Sequence, residues 1–504
     1  MSHPAMPTMS PGFPSANPSK SFWHSEPSHH LLRHRSTDLL PETADVVVIG
    51  SGITGASVAW HLLNAHENRK GMNVVMLEAR EACWGATGRN GGHCQPILYE
   101  HPDDPSIPRF ELANFLALQA LIAELEIDCE FYEQHTVHAL YSEGDLAAAR
   151  KSLAALGSAD PGLAHRVRLV TETSELRCLR VPTAVGAIVT NIAGRLWPYK
   201  FVAGILERLL TRAAPAGSRV FNLQTNTTVT SVTRADDPAG QPTEPAVWKV
   251  ATPRGSIATP HVVLATNAYT SALLPDFKDL IVPCRGQMSS LTPPTHISGP
   301  TRLPTSYVFL GPAQDDYLIQ RPRDNNNTGE HLLFGGGRQH GPSLGLTDDS
   351  VVDPRVARYL RRALLDLLGA TTQLTDEELS ATHEWTGIMG FSRDAVPWVG
   401  PHPEKPGVFV AAGYTGHGMP NAWLCGRAVA RMVRETMGGA CGEAAVRAAV
   451  GDGELGLLPR AYVLDAERME RARGLESVER QDYKHMYGAE HVGIGTLSIR
   501  DEVL

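Results

Sequence analysis

The chain has 504 residues, 42% of them hydrophobic and 20% charged, with 45 Lys and Arg against 54 Asp and Glu for a formal net charge of −9. Such a composition is ordinary for a globular chain of two or three domains, and the acidic balance excludes nucleic acid or an anionic membrane as the main partner. No apolar run reaches the roughly 18 to 20 residues that span a bilayer, and seven cysteines, an odd count with no CxxC, fit a reducing compartment. The first residues, "MSHPAMPTMSPGFPSANPSK", lack the apolar stretch of a signal peptide, and "RDEVL" at the other end is neither common receptor-read address. A cytoplasmic location is expected, and no metal site.

Residues 1–44 are rich in Pro, Ser and His and are expected to be a largely disordered arm, with Trp23 and Leu31–Leu32 as docking points. The first buried-strand run is "ADVVVIG", residues 44–50; "TGASVAWHLLNAH" follows as a helix, then "NVVMLEA", residues 73–79, as a second strand. Strand, turn, helix and strand in so short a span open a doubly wound α/β domain. The stretch 106–156 reads mostly helical, and "GRLWPYKFVAGILERLLTRA" reads as a loop entering a helix at Trp197 and Pro198. "TTVTSVT" and "WKVAT" read as strands around the hairpin loop "DDPAGQPTEP", and "HVVLATNAYT" as a buried strand running into a polar turn. From 281 to 338 short strands recur ("IVPCRGQMSS", "YVFLG", "DYLIQRPR", "HLLFGGGR"), which implies an antiparallel sheet and a second domain. "GVFVAAGYTGHGMPNAWLCGRAVARMV" returns to strand, turn and helix, so the first domain closes late, and the charged tail beyond 437 reads as solvated helix.

"GSGITG" places Gly50, Gly52 and Gly55 at G-x-G-x-x-G spacing between a strand and a helix. Gly50 permits the tight turn, Gly52 lets backbone approach a pyrophosphate, and Gly55 lets helix and strand pack closely. Ile53 and Thr54 then open the helix whose N–H groups face the phosphates. Glu78 ends the next strand, where a carboxylate accepts from a ribose diol and repels a 2′-phosphate, with Ala79 and Arg80 beside it. That fits FAD or NAD and leaves the choice open.

"CWGATGRNGGH" narrows it. Gly85, Gly88, Gly91 and Gly92 remove the Cβ atoms that would stop backbone lying against a large flat ring. Thr87, Arg89, Asn90 and His93 sit among them, and Arg89 offers a fixed positive charge. Together "VVVIGSGITGASVAWHLL", "VVMLEARE", "WGATGRNGGH", "VVLATNAYT", "FGGGR", "GIMGFSRDAVPWVG" and "AAGYTGHGMPN" resemble the FAD-dependent oxidoreductases of the D-amino-acid oxidase and sarcosine oxidase type. The RNGG and GHGMP spellings are most similar to the γ-glutamylputrescine oxidase-like branch, and the resemblance spans roughly 45–435.

The resemblance implies a doubly wound, Rossmann-like FAD-binding domain (α/β) interleaved with an antiparallel-sheet substrate domain (α+β). The FAD domain is expected over 45–115 with 190–275 and 385–436, the substrate domain over 116–189 with 276–384, and a helical tail over 437–504. It also implies FAD contacts from Val229 and Asn267, and a turn at the pyrimidine side of the flavin built from Gly413, Gly416, Gly418 and Met419. A helix end there opposes the negative charge left by hydride uptake. His417 lies in the same turn and reads either as catalytic or as a histidine satisfied by backbone. Asp394 reads equally as a turn cap or as the holder of a ribityl hydroxyl.

Where some relatives tether flavin through a cysteine, this chain has Gly387, and a tethering histidine would fall near Arg89, so the FAD is expected to be non-covalent. Oxygen-activating lysines are replaced by Leu333 and Pro420, which leaves the electron acceptor open between oxygen and another oxidant. Hydride transfer needs little acid–base chemistry beyond a neutral amine, a held C–H bond and a dry site. Catalytic roles are expected from His417, Tyr317 and Arg89, and substrate contacts from Tyr317, Arg285, Arg321 and Arg338, the arginines as carboxylate forks. The expected function is oxidation of the C–N bond of a small amine or amino acid to an imine. Oxidation of a larger natural-product intermediate and a non-catalytic flavin-binding protein are the alternatives.

Overall fold

The computed structural model describes residues 12–64, 72–211, 220–235, 247–312, 314–323, 329–368 and 378–481. The hairpin loop expected at "DDPAGQPTEP" and the last part of the tail lie outside the described residues. Among the described residues the strands form three sheets.

The first sheet runs in the order Trp398–Pro401, Val408–Ala412, His261–Leu264, Val46–Ile49, Asn73–Leu77, Val220–Gln224. Val46–Ile49 pairs in parallel with Asn73–Leu77 on one side and His261–Leu264 on the other, and only the Trp398–Pro401 edge is antiparallel. Because side chains alternate across a sheet, Val46 and Val48 enter one core and Val47 and Ile49 the other. On one face lie the helices Ile53–Asn64, Pro198–Thr211 and Ala422–Met437. Gly426 makes the crossing of the first and last of these possible, since a Cβ there would stand 2.6 Å from the Ser57 Cβ. The opposite face is covered by a three-stranded sheet, Gly255–Thr259, Trp248–Thr252 and Ser231–Arg234, which buries Val250 and Ile257. A strand covered on both faces must be apolar throughout, which is why the chain reads VVVI there.

The largest sheet is mostly antiparallel: Ala381–Ser392, Ile281–Leu291, Leu332–Gly335, Gln314–Gln320, Ser306–Gly311, Tyr132–Leu140, Gly186–Arg195, His93–Cys94, with Val167–Val170 also on Gly186–Arg195. The one parallel step joins Ser306–Gly311 to Tyr132–Leu140.

The stretch 106–156 is mostly helical, as expected, with helices Ser106–Glu124 and Glu143–Ala159 flanking a strand, Tyr132–Leu140. The strand Gly186–Arg195 takes in the first two residues of the expected loop, and the helix Pro198–Thr211 starts at Pro198 as expected. Two expectations are corrected. The tail helix Ala466–Gly474 is not merely solvated, because it buries Arg468, Met469 and Ala472. Finally, the arm is ordered from Gly12 onward, with Phe22, Trp23 and Leu31 only 6%, 0% and 1% exposed. Burying each such side chain contributes roughly 1.5–3 kcal/mol toward holding the arm against the body of the protein. No helix among the described residues is long and apolar enough to cross a membrane.

Candidate functional site

A cavity of about 480 Å³ runs from the Gly50–Thr54 turn to the Gly416–Pro420 turn, with one wall from the large sheet. At the first end Gly50 has φ +103° and a Cβ there would sit 2.6 Å from the Ala265 carbonyl oxygen, so the turn requires glycine. The Thr87 hydroxyl accepts from the Ile53 N–H at 3.1 Å and thus occupies the first turn of the helix. Glu78 is 8% exposed and accepts from Ser51 N–H (3.0 Å), Ser51 Oγ (2.6 Å) and Arg80 N–H (3.0 Å). A carboxylate offers about four acceptor positions, so three bonds fix its orientation and leave capacity for a ribose hydroxyl.

The central wall is the loop 86–93. Arg89 is buried, with Nε donating to the Thr386 carbonyl (2.6 Å) and Nη2 to the Ser19 carbonyl (2.6 Å) and hydroxyl (2.8 Å). Its Nη1 is a buried donor with no partner. Burial lowers the Arg89 pKa to about 10 against the supporting charge of Asp349, so the group stays cationic at neutral pH. Asp349, 1% exposed, lies 3.4 Å from Arg89 and 2.9 Å from Arg80. Asn90 closes the loop on itself, accepting from Gly92 N–H at 2.7 Å and donating to the Thr87 carbonyl at 2.9 Å. Gly387 faces Arg89 from the sheet, and a Cβ there would stand 3.0 Å from the Arg89 Cβ.

The far end is the turn 413–420. Gly413 and Gly416 have φ of +78° and +79°. Asn267, in the short turn Asn267–Tyr269 that follows strand His261–Leu264, accepts from Gly413 N–H at 3.0 Å and Tyr414 N–H at 3.4 Å, tying the 413–420 turn to the central strands. Helix Ser106–Glu124 holds it from behind: Asn114 donates to the Met419 carbonyl at 3.1 Å and accepts from Leu424 N–H at 2.9 Å. Glu111, also on that helix, lies 3.3 Å from His417 Nε2 and is anchored by Ile97 N–H and Asn421, both at 2.9 Å. Burial works against the imidazolium, but Glu111 and Glu100 outweigh it and raise the His417 pKa to about 9. His417 therefore carries positive charge into the cavity. His93, in contrast, is driven down to about 3 by burial and then by His417, so it stays neutral.

From the large sheet, the Tyr317 hydroxyl accepts from Gly91 N–H at 2.8 Å and donates to the Met288 sulfur at 3.1 Å. Its ring lies roughly parallel to His93, with centroids 6.4 Å apart. Arg338 reaches the cavity bonded to Asp315 at 3.1 Å, its guanidinium 5.0 Å from the Phe391 ring. The second Asp315 oxygen, Oδ1, is a buried acceptor with no partner.

Most of the expected residues converge here: Gly50, Gly52, Ile53, Thr54, Glu78, Ala79, Arg80, Thr87, Arg89, Asn90, Gly91, His93, Val229, Asn267, Gly416, His417, Gly418, Met419, Tyr317 and Arg338 all line the cavity. Gly55, Gly92 and Gly413 stand behind its wall, Gly55 against the Gly50 carbonyl and Gly92 against Trp23 and the Leu196 carbonyl. Three expectations fail. Asp394 is bound to Arg468 at 2.7 Å and does not line the cavity. Arg321 pairs with Glu130 and lies over Phe22, away from the cavity. Arg285 donates to the Asp348 carbonyl at 3.2 Å, outside the lining.

Glu111, Asn114 and Asp349 were not foreseen. The first two carry a legible signal, since Ile107, Phe110, Glu111, Asn114, Phe115 and Leu118 are all buried and form one helical stripe. Polar residues on that stripe imply buried partners. Asp349 carries none, because its partners Arg80 and Arg89 lie far away in the chain.

A dinucleotide-binding sheet whose cavity continues between a glycine loop and a second glycine turn defines a flavin-dependent oxidoreductase. A family model described as FAD dependent oxidoreductase (DAO) matches residues 45–432, and the chain belongs to that family. It is similar to gamma-glutamylputrescine oxidoreductase of Escherichia coli (strain K12), 26% identical over 403 residues that cover 78% of this chain and 84% of that one. Among solved structures it resembles glycine oxidase from Geobacillus kaustophilus (TM-score 0.62, 22% identity, 78% and 95% of the two chains). It also resembles L-proline dehydrogenase from P. horikoshii (TM-score 0.58, 19% identity, 79% and 95%). Both structural likenesses concern the fold. The residues present fit FAD: Glu78 has one acceptor position left and Arg89 an unpartnered donor, and both residues line the cavity.

Proposed function

We propose that the protein oxidises the C–N bond of a small amine or amino acid to an imine. One observation carries the reading: the loop 86–93 and the turn 413–420, distant in sequence, line one cavity together with Tyr317 and Arg338. FAD bound there supplies the hydride acceptor.

The protein's own groups supply the rest. His417, kept cationic by Glu111, sets positive charge beside the Gly416–Met419 turn, where it would stabilise the anionic form of a reduced flavin held there. Arg89 adds a second fixed charge at the opposite loop. Neutral His93 and the Tyr317 hydroxyl offer hydrogen bonds without ionising, which favours the neutral amine that hydride transfer requires. The Asp315–Arg338 pair presents an anion and a cation together at the cavity, where the Asp315 carboxylate suits a second, non-reacting ammonium of the substrate. With Arg338 already paired and Arg285 and Arg321 outside the cavity, this favours an amine over a substrate gripped by its carboxylate. Oxygen or another acceptor completes the cycle. Gly387 at the cavity, in place of a tethering cysteine, supports non-covalent FAD.

Anaerobic mixing with D- and L-amino acids, N-methyl amines and polyamines tests the reading through bleaching of the flavin. Bleaching by an amine, with an imine-derived carbonyl as product, supports it. A flavoprotein bleached only by alcohols, or by nothing in so broad a panel, contradicts it.

A further inference from the structure

The arm before residue 45 lies outside the family match, yet two of its residues line the cavity. Phe13 and Pro14 line it, and Phe13 is 44% exposed, an aromatic ring left open at the cavity edge. The next residue, Ser15, is hydrogen-bonded to Asp349, the carboxylate that pairs with Arg80 and Arg89. Arg80 Nη1 donates back to the Ser15 carbonyl at 3.4 Å. Four residues on, Ser19 accepts from Arg89 through its carbonyl and its hydroxyl and donates to the Asp349 carbonyl at 2.7 Å. Ser21 Oγ donates to the Gly88 carbonyl at 2.8 Å, and Trp23 Nε1 to the Asn90 carbonyl. His24 lies so close to Gly88, and Trp23 to Gly92, that a Cβ on either glycine would collide with them.

The glycines of loop 86–92 therefore have two faces to satisfy. Tyr317 presses on Gly91, while the arm presses on Gly88 and Gly92. The arm is also anchored independently of the loop, because Trp197 Nε1 donates to the Trp23 carbonyl at 2.8 Å and Tyr199 OH accepts from Ser28 N–H at 3.0 Å.

Taken together, we propose that Phe13–His24 is a strap belonging to the cofactor site: it braces the loop 86–92 and, through Phe13 and Pro14, walls the end of the cavity that takes the adenosine half of FAD. The end is assigned by neighbours: Phe13 and Pro14 precede Ser15, which meets Arg80, and Arg80 lies two residues after Glu78, at the ribose position. A strap anchored at Trp23 and open at Phe13 closes over a bound dinucleotide, so its chief effect is on how slowly FAD leaves. This rests on FAD occupying the cavity.

The test compares the wild-type holoprotein with Phe13→Ala, Ser19→Ala and a deletion of residues 1–17. The rate of FAD release is followed by the return of free-flavin fluorescence, and FAD and ADP affinities are titrated on the deflavinated proteins. The deletion is expected to speed release about tenfold or more, and Phe13→Ala several-fold, with ADP affinity falling alongside that of FAD. Melting of the deflavinated proteins is measured in parallel; Phe13→Ala, altered at an exposed ring, is expected to melt with the wild type. Release within about twofold of wild type in both Phe13→Ala and the deletion overturns the strap. Weaker FAD binding with unchanged ADP affinity in Phe13→Ala overturns its placement at the adenosine end. A wild-type protein that binds no FAD refutes the functional reading itself, a result distinct from either.

Discussion

The Tyr317 hydroxyl accepts a 2.8 Å hydrogen bond from the Gly91 N–H, joining the large sheet to the glycine loop across the cavity. Tyr317 enters from strand Gln314–Gln320 and Gly91 from the loop after the first dinucleotide unit. Burial pushes the phenol up to about 12, so it remains a neutral hydrogen-bonding group at any working pH.

Tyr317→Phe keeps the ring but strands the Gly91 N–H. An orphaned buried donor costs about 1–3 kcal/mol, or roughly five- to 150-fold in a rate or binding constant. Steady-state kinetics and FAD titration are expected to show a loss in that range. Unchanged values in both would mean that the contact positions nothing.

The His417–Glu111 pair sets a pH dependence. The folded-state pKa, about 9, lies above the ordinary 6.5, so folding takes up a proton between those values. The stabilisation is complete below about 6.5 and lost as pH rises through about 9. Activity is expected to fall along the same alkaline limb, and Glu111→Gln should move that limb to lower pH. A pH profile unaltered by Glu111→Gln would show that the imidazolium does not govern turnover.

Asp349 serves two arginines at once. Asp349→Asn keeps the shape but removes the charge that Arg80 and Arg89 share, and breaking a buried pair costs about 3–5 kcal/mol. Denaturant unfolding should show a loss of that size together with weaker FAD retention. Full stability in the variant would contradict the role of Asp349 as the hub.

The Asp394–Arg468 pair separates structure from site. Arg468 also donates to the Val396 and Pro397 carbonyls and stands 3.8 Å from the Trp398 ring centroid. Arg468→Ala is expected to destabilise the fold by about 3 kcal/mol in denaturant unfolding, while FAD affinity of the folded protein stays at its wild-type value. A specific loss of FAD affinity, with stability intact, would return Asp394 to the cofactor.

How much was readable beforehand follows from how local each signal is. Gly50, Gly52, Gly55 and Glu78 are set by one strand–turn–helix–strand unit, and they stand where that unit puts them. The RNGG loop and the GHG turn were legible because each needs glycine for backbone reasons of its own. Long-range polar partners were not. Arg321 has the composition of a carboxylate clamp, but Glu130 and Phe22 claim it through tertiary packing that no local pattern encodes. Asp394 was lost to Arg468 for the same reason. The arm misled in the other direction: its Pro, Ser and His content reads as largely disordered chain, whereas Phe22 and two of the expected docking points, Trp23 and Leu31, are buried.

The most direct measurement is a diffraction study of crystals grown from the yellow holoprotein. The proposed function predicts one isoalloxazine ring between Gly91–His93 and Gly416–Met419, its pyrimidine edge toward the His417 turn, and no covalent link to protein. A ring bound outside those two stretches, or a tether to a side chain, would contradict it.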